Sequence, residues 1–377
     1  MATPVQEYKD AVDKGLEGVV ACTTEISSIQ DSTLTYRGYT IEDLAEKSTF
    51  EEVSYLLIKG VMPSKDELAA FTKQLQKEMT LDAAFKAQLG SLYSVFPKNG
   101  HPMDFLRTAV STLSFFDADV ASNEPDANFR KSVRLIAKMG PIVAAFQRLR
   151  EGKDILEPKT DKSIAYNFMY QLQGKEPKAE WVKIFDIALI LHADHELNCS
   201  AFSTRVTASS LSDLHSDIVS AIGTLKGPLH GGANTAVMKM LHEIGTIEKA
   251  QQFVVGALEG KQKVMGIGHR VYKNGDPRAK ILKKMSQQLT KEVGHPELYE
   301  MSTLIDQTMF DKKGLMPNVD FYSATVYDSM GIPGDIFTPI FAVSRISGWC
   351  AHAMEQYSKN RIYRPRGQYT GKTGLKL

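Results

Sequence analysis

Cysteine, long apolar runs, charge of one sign and strand-like alternation are all scarce in this sequence, and each shortage excludes something. Cys22, Cys199 and Cys350 are the only cysteines in 377 residues, an odd and scattered set with no Cys-x-x-Cys spacing. A disulfide framework and a structural zinc site are both disfavoured, which suits a reducing cytoplasm. No apolar run reaches membrane-spanning length. The opening stretch, Met1 to Gly18, has no apolar core segment or cleavage signature, so no secretion signal is expected. Together these features predict a cytoplasmic protein. With 45 basic and 44 acidic residues there is no global field to attract nucleic acid or a membrane surface. An anionic ligand must be caught by locally placed arginines and lysines.

What is present is an ordinary globule, 43% hydrophobic and 24% charged. The length suggests two domains, or one large domain with a lobe inserted. Helical punctuation dominates. Thr49 to Glu52 and Ser64 to Glu67 read as capping boxes. Periodicity predicts further helices over 104–116, 128–150, 163–172, 179–201, 213–225, 233–242 and 279–289. Residues 336–356 are apolar nearly all round, which predicts a helix buried on several sides. Alternation is confined to 25–38, read as a small hairpin, and strands do not alternate with helices as in a doubly wound fold. The expected fold is all-α, with many helices and one small N-terminal β hairpin. The tail from Arg361, basic and rich in Gly and Pro, reads as an extended arm.

Two stretches set a histidine among glycines: Lys226-Gly-Pro-Leu-His230-Gly-Gly-Ala-Asn234, and Gly266-Ile-Gly-His269-Arg-Val-Tyr-Lys273, running on to Asp276-Pro-Arg278. Glycine lets backbone and imidazole both approach a ligand closely. Asn318-Val-Asp320 adds a carboxylate amid apolar and aromatic neighbours. Two histidines and a desolvated acid are a minimal kit for removing a proton next to a carbonyl. Asp320 alone could equally be a helix cap, as could Asn318. Gly266-Ile-Gly268 lacks the third glycine and the preceding strand of a dinucleotide loop, which argues against NAD. The surrounding Lys261, Lys263, Arg270 and Lys273 suit phosphates or a base edge. Arg345 lies inside an apolar run and needs an anionic partner, from the protein or from a substrate. His192 and His195, three apart, are expected on one helix face. That invites a metal reading, but neither metalloprotease pattern is present and no third ligand is evident.

Taken together, these stretches resemble the citrate synthase family. The matching pieces are HADHEL (192–197), KGPLHGGAN (226–234), GIGHRVYKNGDPRA (266–279), NVDFYSA (318–324), FAVSR (341–345) and RPR (364–366), with GLEGVVA and YRGY nearer the N-terminus. The similarity runs in register from about Gly15 to about Tyr369. It looks like the short form, without the additional N-terminal domain of the larger NADH-inhibited assemblies. The resemblance implies a mostly helical homodimer with no permanently bound cofactor and with acetyl-CoA and CoA as substrate and product. It implies a large domain (1–231 and 332–377) and a small domain (232–331) that closes over the active site. It implies His230, His269 and Asp320 as the catalytic trio, and His195, Arg278 and Arg345 around oxaloacetate, with Arg364 supplied by the other subunit. Val264, Met265, Gly266, Ile267 and Gly268 would lie against the CoA adenine, and Lys273 near a phosphate. The rivals are a 2-methylcitrate synthase taking propionyl-CoA, a metal-dependent hydrolase built on His192 and His195, and a helical scaffold without chemistry. One methylene in an apolar pocket is worth only about 1–3 kcal/mol, so both acyl groups stay open.

Overall fold

The computed structural model describes residues 15, 16 and 18–376; most of the stretch read for a secretion signal lies outside them. The described chain opens with β1 (Ser27–Gln30), β2 (Thr33–Tyr36) and β3 (Tyr39–Thr40), an antiparallel sheet with Ser27 opposite Tyr36 and Tyr36 opposite Tyr39. The expected hairpin is therefore real and gains a short third strand, too brief to leave an alternation in the sequence.

Helices follow: α1 (Ile41–Lys47), α2 (Phe50–Lys59), α3 (Lys65–Glu78), α4 (Ala83–Ser94), α5 (Pro102–Leu113), α6 (Pro125–Arg150), α7 (Ile164–Gln173) and α8 (Ala179–His192). The second half adds α9 (Cys199–Ala208), α10 (Leu214–Leu225), α11 (Ala233–Ile244), α12 (Ile247–Glu259), α13 (Pro277–Glu292), α14 (Pro296–Lys313), α15 (Val319–Ser329) and α16 (Phe337–Ser358). Among the described residues none is long and apolar enough to cross a membrane. Ser64 makes a complete capping box with Glu67, each side chain bonding the other's backbone N–H. At Thr49 only half of the box forms, its hydroxyl accepting from the Glu52 N–H at 3.3 Å. The next N–H, that of Phe50, is held by Asp186 of α8.

The helix expected over 179–201 is two helices. Apolar spacing runs on through Leu197 and Ala201, but α8 stops at His192 and Asn198 caps a fresh start, its Oδ1 accepting from the Ala201 N–H at 3.1 Å. Between them Glu196 adopts a left-handed φ of 51°. His192 and His195 therefore do not share a helix face.

As its composition predicts, α16 is buried on nearly every side, packed against α2, α6, α8, α9 and α10. Helices α11 to α15 form their own group, α15 against α11 and α13, and α14 against α12. The 193–198 turn, the 226–232 and 260–276 loops, the start of α15 and the middle of α16 carry the predicted site residues.

Candidate active site

The site starts from the HADHEL turn. Arg345, on α16 and fully buried, donates from Nε to the His192 carbonyl at 2.6 Å, and its guanidinium lies 4.7 Å from the centre of the Phe341 ring. The anionic partner expected for it is absent among the described residues: no carboxylate comes within ion-pair distance. Burial therefore depresses its pKa to about 10, with Asp194 supplying the largest compensating charge. A guanidinium this poorly matched is prepared to bind an incoming carboxylate. Three residues after His192, the His195 Nε2 lies 3.1 Å from the Tyr272 hydroxyl.

Tyr272 brings in the glycine-flanked loop. The His269 and Tyr272 rings lie 4.5 Å apart, and the His195 and His269 rings 5.2 Å apart. His269 Nδ1 accepts from the backbone N–H of Val271 at 3.0 Å and of Tyr272 at 3.2 Å. A ring nitrogen that accepts carries no proton, so His269 holds its proton on Nε2 and can donate only from there. Gly266 and Gly268 both need positive φ, and a Cβ on Gly266 would sit 2.6 Å from Val237 and 2.9 Å from Phe321. The Gly-x-Gly is thus a packing device. It lies against the start of α15 through Gly268 N–H to Met316 carbonyl (2.8 Å) and Asn318 N–H to Gly266 carbonyl (2.9 Å).

That seam sets Asp320. Asn318 is the helix cap, its Oδ1 accepting from the Asp320 N–H at 3.0 Å, so Asp320 is released from that duty. The Asp320 carboxyl is buried, its Oδ1 has no hydrogen-bond partner, and burial raises its pKa to about 7. Asp276, which the sequence reading passed over, joins the pieces. One oxygen accepts from Arg278 Nε (3.0 Å), the other from Arg278 Nη2 (2.8 Å) and from the Val319 N–H at the start of α15 (3.0 Å). Burial alone would depress Arg278, but the Asp276 charge outweighs it and holds the guanidinium above its ordinary value. The motif's Asp-Pro-Arg spacing, with Pro277 opening α13 and Asp276 capping it, was the available signal.

His230 comes from the loop between α10 and α11. Its Nε2 accepts from the Ser200 backbone N–H at 3.3 Å and lies 2.9 Å from the Ser200 hydroxyl. That hydroxyl also accepts from the Trp349 indole N–H at 3.0 Å. The imidazole proton consequently sits on Nδ1, the nitrogen left for a ligand. Burial lowers both catalytic candidates to about 4, helped by Arg345 at His230 and by Arg278 at His269. Both are neutral single-proton donors at pH 7. Charges of Arg278 and Arg345 act on Asp320 and His195, that of Arg345 on His230 and that of Arg278 on His269, so these six residues form one electrostatically linked cluster.

Arg364 is exposed on the tail, beside a cavity of about 1310 Å³ that it shares with Leu16, Val19, Phe202 and Arg205, and no described contact ties it to the cluster. Lys273 is exposed and Val264 is buried. His192 donates from Nδ1 to the Ala188 carbonyl at 2.7 Å, while His195 faces Tyr272, so the two rings do not converge. Among the described residues no group of three or more His, Cys, Asp or Glu could hold a metal ion.

A helical body that gathers two neutral imidazoles, a buried acid and two buried arginines has the groups of an acid–base enzyme for an anionic substrate. The family described as citrate synthase, C-terminal domain, matches residues 15–366. The chain is 54% identical to citrate synthase 2 of Bacillus subtilis over 358 residues, 95% of each chain. The crystal structure of citrate synthase from Pyrobaculum aerophilum superposes with a TM-score of 0.90 at 41% identity, covering 96% of this chain and 93% of that one. The Thermoplasma acidophilum citrate synthase solved as a ternary complex with carboxymethyl coenzyme A and oxaloacetate also superposes with a TM-score of 0.90, at 32% identity, covering 97% of this chain and 98% of that one. This chain belongs to the citrate synthase family.

Proposed function

We propose that the chain condenses acetyl-CoA with oxaloacetate and water to give citrate and CoA, in the cleft between two domains. The observation that carries the reading is the buried Asp320 carboxyl, its Oδ1 without a hydrogen-bond partner and its pKa about 7, under the charges of Arg278 and Arg345 that also act on two imidazoles whose tautomers are fixed. A thioester methyl is a very weak acid, so a carboxylate can deprotonate it only if the developing enolate is stabilised. Asp320 takes the methyl proton while His230 donates its Nδ1–H to the thioester oxygen. The enol carbon attacks the oxaloacetate ketone, whose oxygen gains charge and accepts from His269 Nε2–H with Arg278 beside it. Arg345 and Arg278 take the carboxylates by forked, charge-assisted bonds, and His195 adds a donor held by Tyr272. Water then hydrolyses citryl-CoA.

Residues 232–331 act as the small domain and close onto the large domain (1–231 and 332–377). Arg278 comes from the first, His195 and Arg345 from the second, so oxaloacetate draws them together and water is excluded before the thioester is exposed. The chain acts as a homodimer in which Arg364 reaches the partner's cleft. CoA lies along the 264–268 backbone with Lys273 near a phosphate. The test is thiol release from acetyl-CoA with and without oxaloacetate, repeated with propionyl-CoA. Oxaloacetate-dependent release with acetyl-CoA supports the reading. A clear preference for propionyl-CoA would make the chain a 2-methylcitrate synthase instead.

A further inference from the structure

We propose that Asp194 is the positioning residue of the oxaloacetate-binding turn, with His352, oriented by Arg205, set beside its carboxylate; the inference rests on the reading of the cleft given above. Asp194 is fully buried between β1, the 193–198 turn and α16. One carboxylate oxygen accepts from the Ser27 hydroxyl, and the other lies 3.3 Å from His352 Nε2. Its backbone is held as well: the Tyr36 hydroxyl donates to the Asp194 carbonyl at 2.8 Å and accepts from the Asp194 N–H at 3.2 Å. Ser27 Oγ, which donates to Asp194, accepts in turn from the Glu196 N–H at 2.8 Å. The residues on both sides of His195 are thereby tied to the sheet. The left-handed Glu196, a costly conformation for a residue with a Cβ, is held in place by the same bonds.

The group next to the free oxygen of Asp194 is fixed from behind. Arg205 Nε donates to His352 Nδ1 at 2.9 Å, and a guanidinium can only donate, so that nitrogen must accept. His352 is then neutral, with its proton on Nε2, on the side of Asp194. Arg205 is itself held by Glu355 and by Gln356 Oε1 at 3.4 Å. Asp194 therefore accepts one hydrogen bond, from Ser27, while His352 Nε2 stands 3.3 Å from its other oxygen without forming one. Burial pushes its carboxyl up, but His352, Arg345 and Ser27 together hold it below its ordinary value. It is the anion opposite Arg345, whose Nε bonds the carbonyl two residues before it. There is no slack for the turn to drift: a Cβ on Gly348 of α16 would lie 2.4 Å from the Ala193 carbonyl oxygen and 2.5 Å from Asp194 Oδ1.

Asp194 reaches the substrate only through His195 and Arg345, which predicts a defect confined to oxaloacetate. In Asp194→Ala, the calorimetric Kd and the KM for oxaloacetate should rise tenfold or more. The KM for acetyl-CoA at saturating oxaloacetate should stay within twofold. Asp194→Asn keeps an acceptor for the Ser27 hydroxyl and should recover most of the loss. His352→Ala should shift oxaloacetate in the same direction, and the double variant should be no worse than Asp194→Ala alone. A merely structural role would lower the folded fraction, and with it kcat, while leaving both KM values in place. Unchanged oxaloacetate affinity in folded Asp194→Ala overturns the proposal, as do equal losses for both substrates. If Asp194→Ala does not fold, Ser27→Ala decides: a severalfold weaker oxaloacetate Kd supports the role, and an unchanged one overturns it. Wild-type enzyme without oxaloacetate-dependent thiol release would sink the reading of the cleft, whereas normal wild-type turnover with unshifted variants sinks only the role of Asp194.

Discussion

At the scale of single residues, Asp320 makes the firmest predictions because burial sets both its reactivity and its cost. A base must be ionised, so kcat/KM for acetyl-CoA should fall on the acid side with an apparent pKa near 7. Asp320→Asn keeps the shape without the base, and turnover should drop a hundredfold or more while oxaloacetate still binds. Retention of a tenth of wild-type kcat would remove Asp320 from the role. Stability should move the other way. The folded carboxyl titrates near 7 and the unfolded one near 4, so from pH 4 to 7 the unfolded chain ionises first and folding is progressively disfavoured. Below about pH 4 that penalty is absent, and above 7 it is complete, on the order of a few kcal/mol for a shift of this size. Asp320→Asn carries no such term. Its melting temperature should exceed that of wild type at pH 8 and approach it at pH 4; equal differences at both pH values would contradict the buried-acid account.

Among the elements, the seam between the 264–268 loop and the start of α15 is the most exacting. Gly266→Ala meets a φ of 74° and two contacts under 3 Å, whereas Gly268→Ala meets a φ of 88° but only Leu315 at 3.9 Å. Strain alone costs about 1–3 kcal/mol, and overpacking adds a similar amount. Gly266→Ala should therefore lose about twice as much stability as Gly268→Ala in urea unfolding, and comparable losses would refute the packing role. The same elements show what the sequence can reveal. Helices α5, α6, α7, α10 and α16 were legible because their caps and apolar faces are local properties. Asp320 and the glycine-flanked histidines were legible because their residue types are unusual in that company. The break at 193–198 was not, since apolar spacing continues across it and the causes are distant: Ser27, Tyr36 and Gly348 lie far away in sequence. Asp276 and Ser200 were missed for a related reason. Each acts by orienting another side chain, a role that no composition or spacing records.

For the whole molecule, the question is how one cleft is assembled from separate pieces. If Arg278 moves with α11 to α15 while His195 and Arg345 stay with α16, oxaloacetate closes the cleft and completes the acetyl-CoA site. An unreactive acetyl-CoA analogue should then bind more tightly in its presence, and equal affinities in the two titrations would exclude that coupling. The second piece is the partner. The segment around Arg364 has neither helix nor strand; Tyr363 anchors it on α9 through Ser209 and Phe202, but Arg364 itself is exposed and makes no described contact with its own cleft. Asp320→Ala and Arg364→Ala homodimers should both be nearly inactive, one without its base and the other without a substrate contact. In a mixed dimer with shared sites, one cleft receives both defects and the other neither. Refolding an equal mixture yields about half mixed dimers, each with one intact cleft of two, so roughly a quarter of wild-type activity should return. If Arg364 served its own cleft, every cleft in the mixture would carry one defect and nothing would be regained. Mixed dimers shown to form without recovered activity would place Arg364 outside the partner's site.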